Sequence, residues 1–366
     1  MNLLELLNQS NYNFFFLVVN PFLDIKLPQL KNFYHIRSQS TKNSGQLLAQ
    51  PSSHQYIKKI CQQNNRQPAI VFFKPSAKID FLCRKHHWIK IGNSACLARP
   101  LENKIEFFRL CQKNRLPQIP QFVDAFNQNT YQKYQQQFKH LVIQTKFGWA
   151  GKNSHLSKQW TDITSKIPLN TPVKYSPYLE DSYTLTNNCC LTNGGLVQSP
   201  PARQIDGIKN LSQNPLATNG RQWPCQAPTD IKIQVKKITQ QFSRILAAKN
   251  YKGFFGLDFL VSQKQVYLQE CNPRLTASFA FYTQMEQINK ITPLFYLHLA
   301  TFLNLDQNIN LAQQQKRFHH PSLIGYQLDQ KNKQGNTTRQ INRFESSSLN
   351  RQTIESLLQN APSKKK

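Results

Sequence analysis

Asp258 and Glu270 each stand alone in an apolar strand, in FFGLDFLV and VYLQEC, and Asn272 and Arg274 follow directly in the segment CNPR. An ionised carboxylate inside so apolar a run is costly unless something pairs with it. Two acids and an amide aimed at one point form a hard-oxygen donor set, of the kind that takes Mg2+ together with substrate phosphates. Successive strand residues point to opposite faces, and positions 258, 270 and 272 are all even. In an antiparallel hairpin they share a face when the loop holds an odd number of residues. A three-residue loop, Ser262-Gln263-Lys264, meets that condition; a two-residue loop would put Asp258 and Glu270 on opposite faces. The structural alternative is a buried hairpin whose acids are tied to nearby Arg or Lys.

An acid on one strand followed about a dozen residues later by Glu-x-Asn-x-Arg resembles the metal hairpin of the ATP-grasp superfamily, which includes carboxylate–amine ligases and biotin carboxylases. The elements here are Asp258, then Glu270, Asn272 and Arg274. The resemblance implies that Asp258 and Glu270 bridge Mg2+ (or Mn2+) to the phosphates of ATP, that Asn272 completes the metal shell, and that Arg274 faces the transferring phosphate or the substrate acid. It extends upstream in order. The segment ENKIEFFRLCQKNRLP (102–117) has helical spacing, with Ile105, Phe108 and Leu110 to Cys111 on one side and Pro117 as its stop. Lys104 stands where the family's opening helix carries a phosphate-contacting lysine. HLVIQTKFGWAGKNSHLS (140–157) is a strand and a loosened turn, with Gly148, Gly151, Lys146 and Lys152, and it resembles the family's glycine-rich lid. It is not a Walker loop, because the first glycine is absent and Asn153 replaces Ser/Thr. Many members carry a lysine where Gln144 stands; Lys146 or Lys152 is expected to compensate. In the hinge that follows, the backbone of Tyr178 and Leu179 is expected to read the adenine edge. Ser176 occupies a position usually acidic, which leaves Glu180 to meet the ribose. Arg203 and Gln204 fall where polar substrate or phosphate contacts are common.

The elements that must position these residues set the fold class. The expectation is an α/β protein of the ATP-grasp type with a Rossmann-like lobe at residues 1–100. A two-lobed ATP-grasp domain follows at 101–305, with its lid at 145–156, hinge at 173–182 and metal hairpin at 253–274. A C-terminal extension with a β-hairpin and a loose basic tail occupies 306–366. FFFLVVN (14–20) and AIVFF (69–73) read as buried strands around a helix at 55–65, and HHWIKIG (86–92) as a further strand. No G-x-G-x-x-G is present, so a dinucleotide site is not supported. DIKIQVKKITQQFSRILAAKN (230–250) is an amphipathic helix with Ile233, Ile238, Phe242, Ile245 and Leu246 along one side, and residues 291–305 form an apolar core helix in which His298 is a packed histidine. At 366 residues, two or three lobes are expected.

Composition excludes several classes. No apolar run approaches the roughly 20 residues of a membrane span. The N-terminus lacks a basic region before its apolar residues and carries Glu5, which argues against a secretory signal. The eight cysteines are scattered without a C-x-x-C, so neither a zinc site nor a disulfide framework emerges, and a cytoplasmic setting is expected. Cys271 should turn away from the metal. The net charge of +28 is spread along the chain, with 13 basic against 3 acidic residues in the first hundred and 12 against 5 in the third. A dedicated nucleic-acid arm would concentrate that excess; a diffuse one attracts polyanions weakly and favours an anionic substrate.

The reaction implied by the resemblance is ATP-dependent ligation, in which a substrate carboxylate becomes an acyl phosphate and an amine or other nucleophile attacks it. Small-molecule partners, a soluble chain and a homodimer are compatible with this. The segment TASFAFYTQMEQ replaces the acidic, His-Pro stretch that biotin carboxylases carry after Asn-x-Arg, which disfavours bicarbonate and biotin as substrates. Two other readings use the same residues: a non-catalytic nucleotide-binding relative, and a basic RNA-associated protein that retains the fold.

Overall fold

A computed structural model of the chain describes residues 2–38, 43–148, 151–307, 309–332, 334, 336–345 and 356. Trp149 and Ala150 of the expected lid, Lys333 and Gly335 of the last turn, and nearly all of the tail beyond 345 lie outside the described residues.

The N-terminal lobe is a parallel sheet in the order β2-β1-β3-β4. Its strands are β1 (Tyr12–Val18), β2 (Phe33–Arg37), β3 (Gln67–Phe72) and β4 (Ile89–Ile91), with helices α1 (Leu3–Gln9), α2 (Ser44–Leu48), α3 (Pro51–Asn64) and α4 (Ala77–Lys85). The run FFFLV is apolar without alternation because both faces are covered. Phe14, Phe16 and Val18 enter the core shared with the C-terminal helices, whereas Phe15 and Leu17 pack with Ile57 of α3 and Ile79 of α4. The strand expected at 86–92 is shorter, since His86 caps α4 and His87 turns with φ 55°.

Two helices lead into the next lobe, α5 (Ala95–Glu102) and α6 (Lys104–Lys113). Asn103 separates them and accepts hydrogen bonds from the Ile105 and Glu106 N–H groups, which fixes the start of α6. The buried side of α6 carries Lys104, Ile105, Phe107 and Cys111, so Phe107 rather than Phe108 is its core residue. The small lobe is antiparallel, in the order β5-β8-β6-β7. It comprises β5 (Phe122–Ala125), β6 (Leu141–Gln144), β7 (Ser154–Ser157) and β8 (Pro172–Pro177), closed by α7 (Gln128–Gln137) around Tyr131, Tyr134, Ile143 and Tyr175.

The large sheet has the order β14-β13-β9-β11-β12-β15-β16, with β10 beside β9. Its strands are β9 (Ser182–Thr192), β10 (Gly195–Gln198), β11 (Ala202–Asp206), β12 (Thr218–Trp223), β13 (Gly253–Ser262), β14 (Gln265–Asn272), β15 (Gly325–Lys331) and β16 (Thr337–Arg343). The C-terminal hairpin expected as an extension therefore continues this sheet. One face is apolar and lies under α8 (Thr229–Ala247), where Ile231, Val235, Ile238, Phe242 and Leu246 are buried; Ile233, expected on that side, is 45% exposed. Leu257, Phe259 and Cys271 belong to this face, so Cys271 does turn away from the carboxylates. Adjacent Cys189 and Cys190 enter the two opposite cores, as strand alternation requires, and all eight cysteines are free thiols. The other face is covered at one end by α9 (Phe279–Ile288) and α10 (Leu294–Phe302) and is polar in its middle. No helix among the described residues is long and apolar enough to cross a membrane.

His298 is a packed residue of α10 whose Nδ1 accepts the Phe254 N–H at 2.9 Å. Burial pushes its pKa from 6.5 down to about 3, against the opposing pull of the Ile91 carbonyl. The native state thus holds the ring neutral. Below pH 6.5 the unfolded chain binds the extra proton, and stability is lost by up to about 1.4 kcal/mol per pH unit as acid is added. The urea midpoint of the parent should fall more between pH 7 and pH 5 than that of His298→Asn. Parallel pH profiles would reject this account.

Candidate active site

The hairpin that carries Asp258 and Glu270 is built differently from its sequence expectation. Ser262 pairs with Gln265, so the loop is two residues, Gln263-Lys264, not three. Both adopt left-handed φ, 48° and 62°, as a two-residue turn that follows strand twist requires. By parity alone this loop would separate the acids. A β-bulge repairs the register: Phe259 pairs with Leu268 but Asp258 pairs with Glu270, leaving Gln269 as the extra residue. The two carboxylates therefore stand directly opposite each other on one face. Gly256 admits the Thr276 segment beside them, since a Cβ there would lie 2.3 Å from the Thr276 methyl.

Asp258 accepts hydrogen bonds from Gln204 Nε2 at 3.0 Å and Asn272 Nδ2 at 3.1 Å. Gln204 in turn is held by the Thr218 hydroxyl at 2.9 Å. Lys104, only 5% exposed, pairs its ammonium with Glu270. Arg274 donates to Asn272 Oδ1 at 2.9 Å and to Glu102 at 2.7 Å, and its guanidinium lies 5.0 Å from the Phe73 ring. Lys74 closes that chain on Glu102 at 2.7 Å. Burial opposes the Glu102 charge, but Arg274 and Lys74 hold its carboxyl below the usual range. Asp258 behaves oppositely. Burial and the nearby Glu270 push it up to about 6, with Arg221, Thr186 and Lys104 pulling the other way. Two like charges kept close in a buried place are what a bound cation would relieve. Among the described residues no cluster of three or more His, Cys, Asp or Glu forms, so the donor set is two carboxylates and one amide. That set suits a hard cation whose shell is shared with a phosphate ligand.

The small lobe meets these residues through α6. The Lys104 N–H donates to the Lys146 carbonyl at 2.8 Å, tying the segment after β6 to the residue that pairs with Glu270. Gly148 admits a turn in which a Cβ would lie 1.9 Å from the Lys152 carbonyl oxygen. The Gly151 carbonyl accepts from Asn214 Nδ2 at 2.9 Å, which ties Gly151 to the loop between β11 and β12. The Lys146 and Lys152 side chains are exposed, and Gln144 bonds Ser154 at 2.9 Å. In the hinge the Tyr178 N–H is committed to the His140 carbonyl at 2.9 Å, and Glu180 lies 3.3 Å from the His140 ring. Of the pair Arg203 and Gln204, only Gln204 reaches the carboxylates; Arg203 lies 3.9 Å over the Tyr183 ring. Sequence reasoning missed Lys174 of β8, 2% exposed and beside Lys104 and Glu270. Its signal was the one that marked Asp258, a lone charge in a buried strand. It also missed the Glu102–Lys74 brace, which lies outside the motif. An open hollow of about 710 Å3 lined by His54, Lys58, Arg66, His86 and Trp88 lies on the N-terminal lobe, away from all these groups.

No family model matches the chain. Its backbone is similar to that of an N5-carboxyaminoimidazole ribonucleotide synthetase bound to ADP (14% identity, TM-score 0.58, 87% of this chain and 81% of that one). The corresponding Aspergillus clavatus synthase, with ADP and 5-aminoimidazole ribonucleotide, gives 13% identity and a TM-score of 0.59 over 87% of this chain and 82% of that one. Campylobacter jejuni biotin carboxylase in complex with β,γ-ATP gives 13% and 0.58 over 82% and 65%. These are α/β structures of the ATP-grasp superfamily, and the chain has the ATP-grasp fold.

Proposed function

We propose that this protein is an ATP-dependent ligase that activates a substrate carboxylate as an acyl phosphate for attack by an amine or another nucleophile. The observation that carries the reading is the direct pairing of Asp258 with Glu270, with Asn272 bonded to Asp258 and Lys104 on Glu270. The similar structures with ADP and ATP support the same nucleotide.

Asp258 and Glu270 would hold Mg2+ or Mn2+, which when bound supplies charge neutralisation on the phosphates. Asn272, whose amide nitrogen faces Asp258 and whose oxygen accepts from Arg274, would join them only by turning its amide. Lys104 would trade its pairing with Glu270 for the phosphates, and its burial makes that charge strong. The lid backbone around Gly148 and Gly151, with Lys146, Lys152 and Gln144, would close over the phosphoryl groups. With the Tyr178 N–H already committed, the adenine edge would be left to the backbone of Leu179; Glu180 would meet the ribose. Arg274, fixed by Glu102 and Asn272, would orient the substrate acid rather than swing freely. The γ-phosphoryl passes to the carboxylate, ADP leaves, and the nucleophile displaces phosphate from the acyl carbon. Positioning and electrostatics suffice, and no side chain need act as nucleophile.

A screen of carboxylates against amines for Mg2+-dependent ADP release tests this. The expected result is release that requires both an acid and an amine. Tight Mg2+-dependent ATP binding with no release across the panel would favour the nucleotide-binding reading instead, for which Gln144 and Ser176 are the motive. RNA binding indifferent to Asp258→Asn would favour the third.

A further inference from the structure

We propose that Lys174 is a phosphate-binding residue of this cleft, supplying from β8 the positive charge absent at Gln144 on β6. The inference rests on the Mg2+-ATP reading and adds a residue to it.

Lys174 and Gln144 are direct partners in the antiparallel pair of β8 and β6. Directly opposed residues share a face, with Cβ atoms about 4.5–5.5 Å apart. A charge on either strand therefore serves the same small volume. Lys174 is 2% exposed, too deep for its head to be explained as a solvated lysine. Its other cross-strand partner is Val123, so no acid faces it from β5. Among the described residues its ammonium makes neither a hydrogen bond nor an ion pair, whereas Lys104 nearby is committed to Glu270. Burial pushes Lys174 down to about 7, and Lys104 adds to that, against Glu270 and Cys111. A buried ammonium beside a second ammonium, with one carboxylate already taken, is an arrangement that costs the empty protein stability. A ligand carrying several negative charges between Lys104 and Lys174 removes that cost. A packing role would be served equally by Met or Leu, which bury the same stem without the charge.

The test compares Lys174→Met, Lys174→Gln and the swap Gln144→Lys/Lys174→Gln with the parent, by calorimetric titration of Mg2+-ATP and of adenosine. Either single variant should weaken Mg2+-ATP binding by about tenfold to a hundredfold, the usual range for a charged contact, and leave adenosine binding within about twofold. The swap should recover most of the loss. A purely structural lysine would affect both ligands and would not be rescued from the neighbouring strand. Equal Mg2+-ATP affinity in parent and both single variants overturns the inference alone. So does a swap that folds with the parent's melting midpoint yet binds no better than Lys174→Gln. Failure of the parent itself to bind Mg2+-ATP removes the functional proposal and this inference together.

Discussion

Asp258→Asn is expected to lower ADP formation by at least about a thousandfold while leaving the fold in place. The magnitude follows from removing a full charge from a buried site where charge on phosphate must be balanced. The stability expectation follows from the hydrogen bonds. Asp258 accepts from both Gln204 and Asn272, and Asn retains one carbonyl oxygen for that purpose. Its loss of the second acceptor is offset by relief of the repulsion with Glu270, which contributes to raising Asp258 to about 6 in the parent. The melting midpoint should therefore stay within a few degrees, the shift that about 1 kcal/mol produces. The measurement is ADP release on an acid–amine pair found by the screen, together with the Mg2+ dependence of ATP affinity and a thermal melt. Retention of a tenth of the parent's turnover, or an unchanged Mg2+ dependence, would remove Asp258 from the role given to it.

The second large effect lies far from the chemistry. Arg317 is buried, and its guanidinium pairs with buried Glu286. Its remaining donors meet the Thr292 carbonyl at 2.8 Å and the Gln314 carbonyl at 2.9 Å. Glu286 also accepts the Leu294 N–H at 3.0 Å. One ion pair thus fastens the end of α9, the turn into α10 and the segment before β15. Burial pushes Glu286 up to about 8, with Arg317 and the Leu294 N–H pulling the other way. Arg317→Met leaves that carboxylate buried without a partner, and breaking such a pair costs about 3–5 kcal/mol. Denaturant titration at pH 7 should show that loss, and the double variant Arg317→Met/Glu286→Gln should recover part of it, since the uncompensated charge is gone. A single variant within about 1 kcal/mol of the parent would show that the pair contributes little beyond its packing.

Much of the site was legible because charge in an apolar strand is rare and therefore informative. Asp258, Glu270, Asn272 and Lys104 were all found that way or through the motif order, and they meet in space. The register was not legible. Parity counting from a three-residue loop reached the right face by the wrong route, since a two-residue turn and a bulge at Gln269 produce it. A bulge leaves no composition signal. The helix faces of α6 and α8 were misjudged by one position at Phe107 and at Ile233 because periodicity marks a stripe, while the partner decides its edges. Lys174 was passed over because its significance depends on Gln144 and Lys104, which lie 30 and 70 residues away in the chain.

Local chemistry alone determined which strands are buried, where the helices stop and which acids must find a partner, because burial cost and backbone preference act residue by residue. Only the assembled structure decided which lysine faces which carboxylate, which hydroxyl and amide brace them, and that the last hairpin extends the large sheet. Those are contacts between segments distant in sequence, and their energies exist only once the chain has brought the segments together.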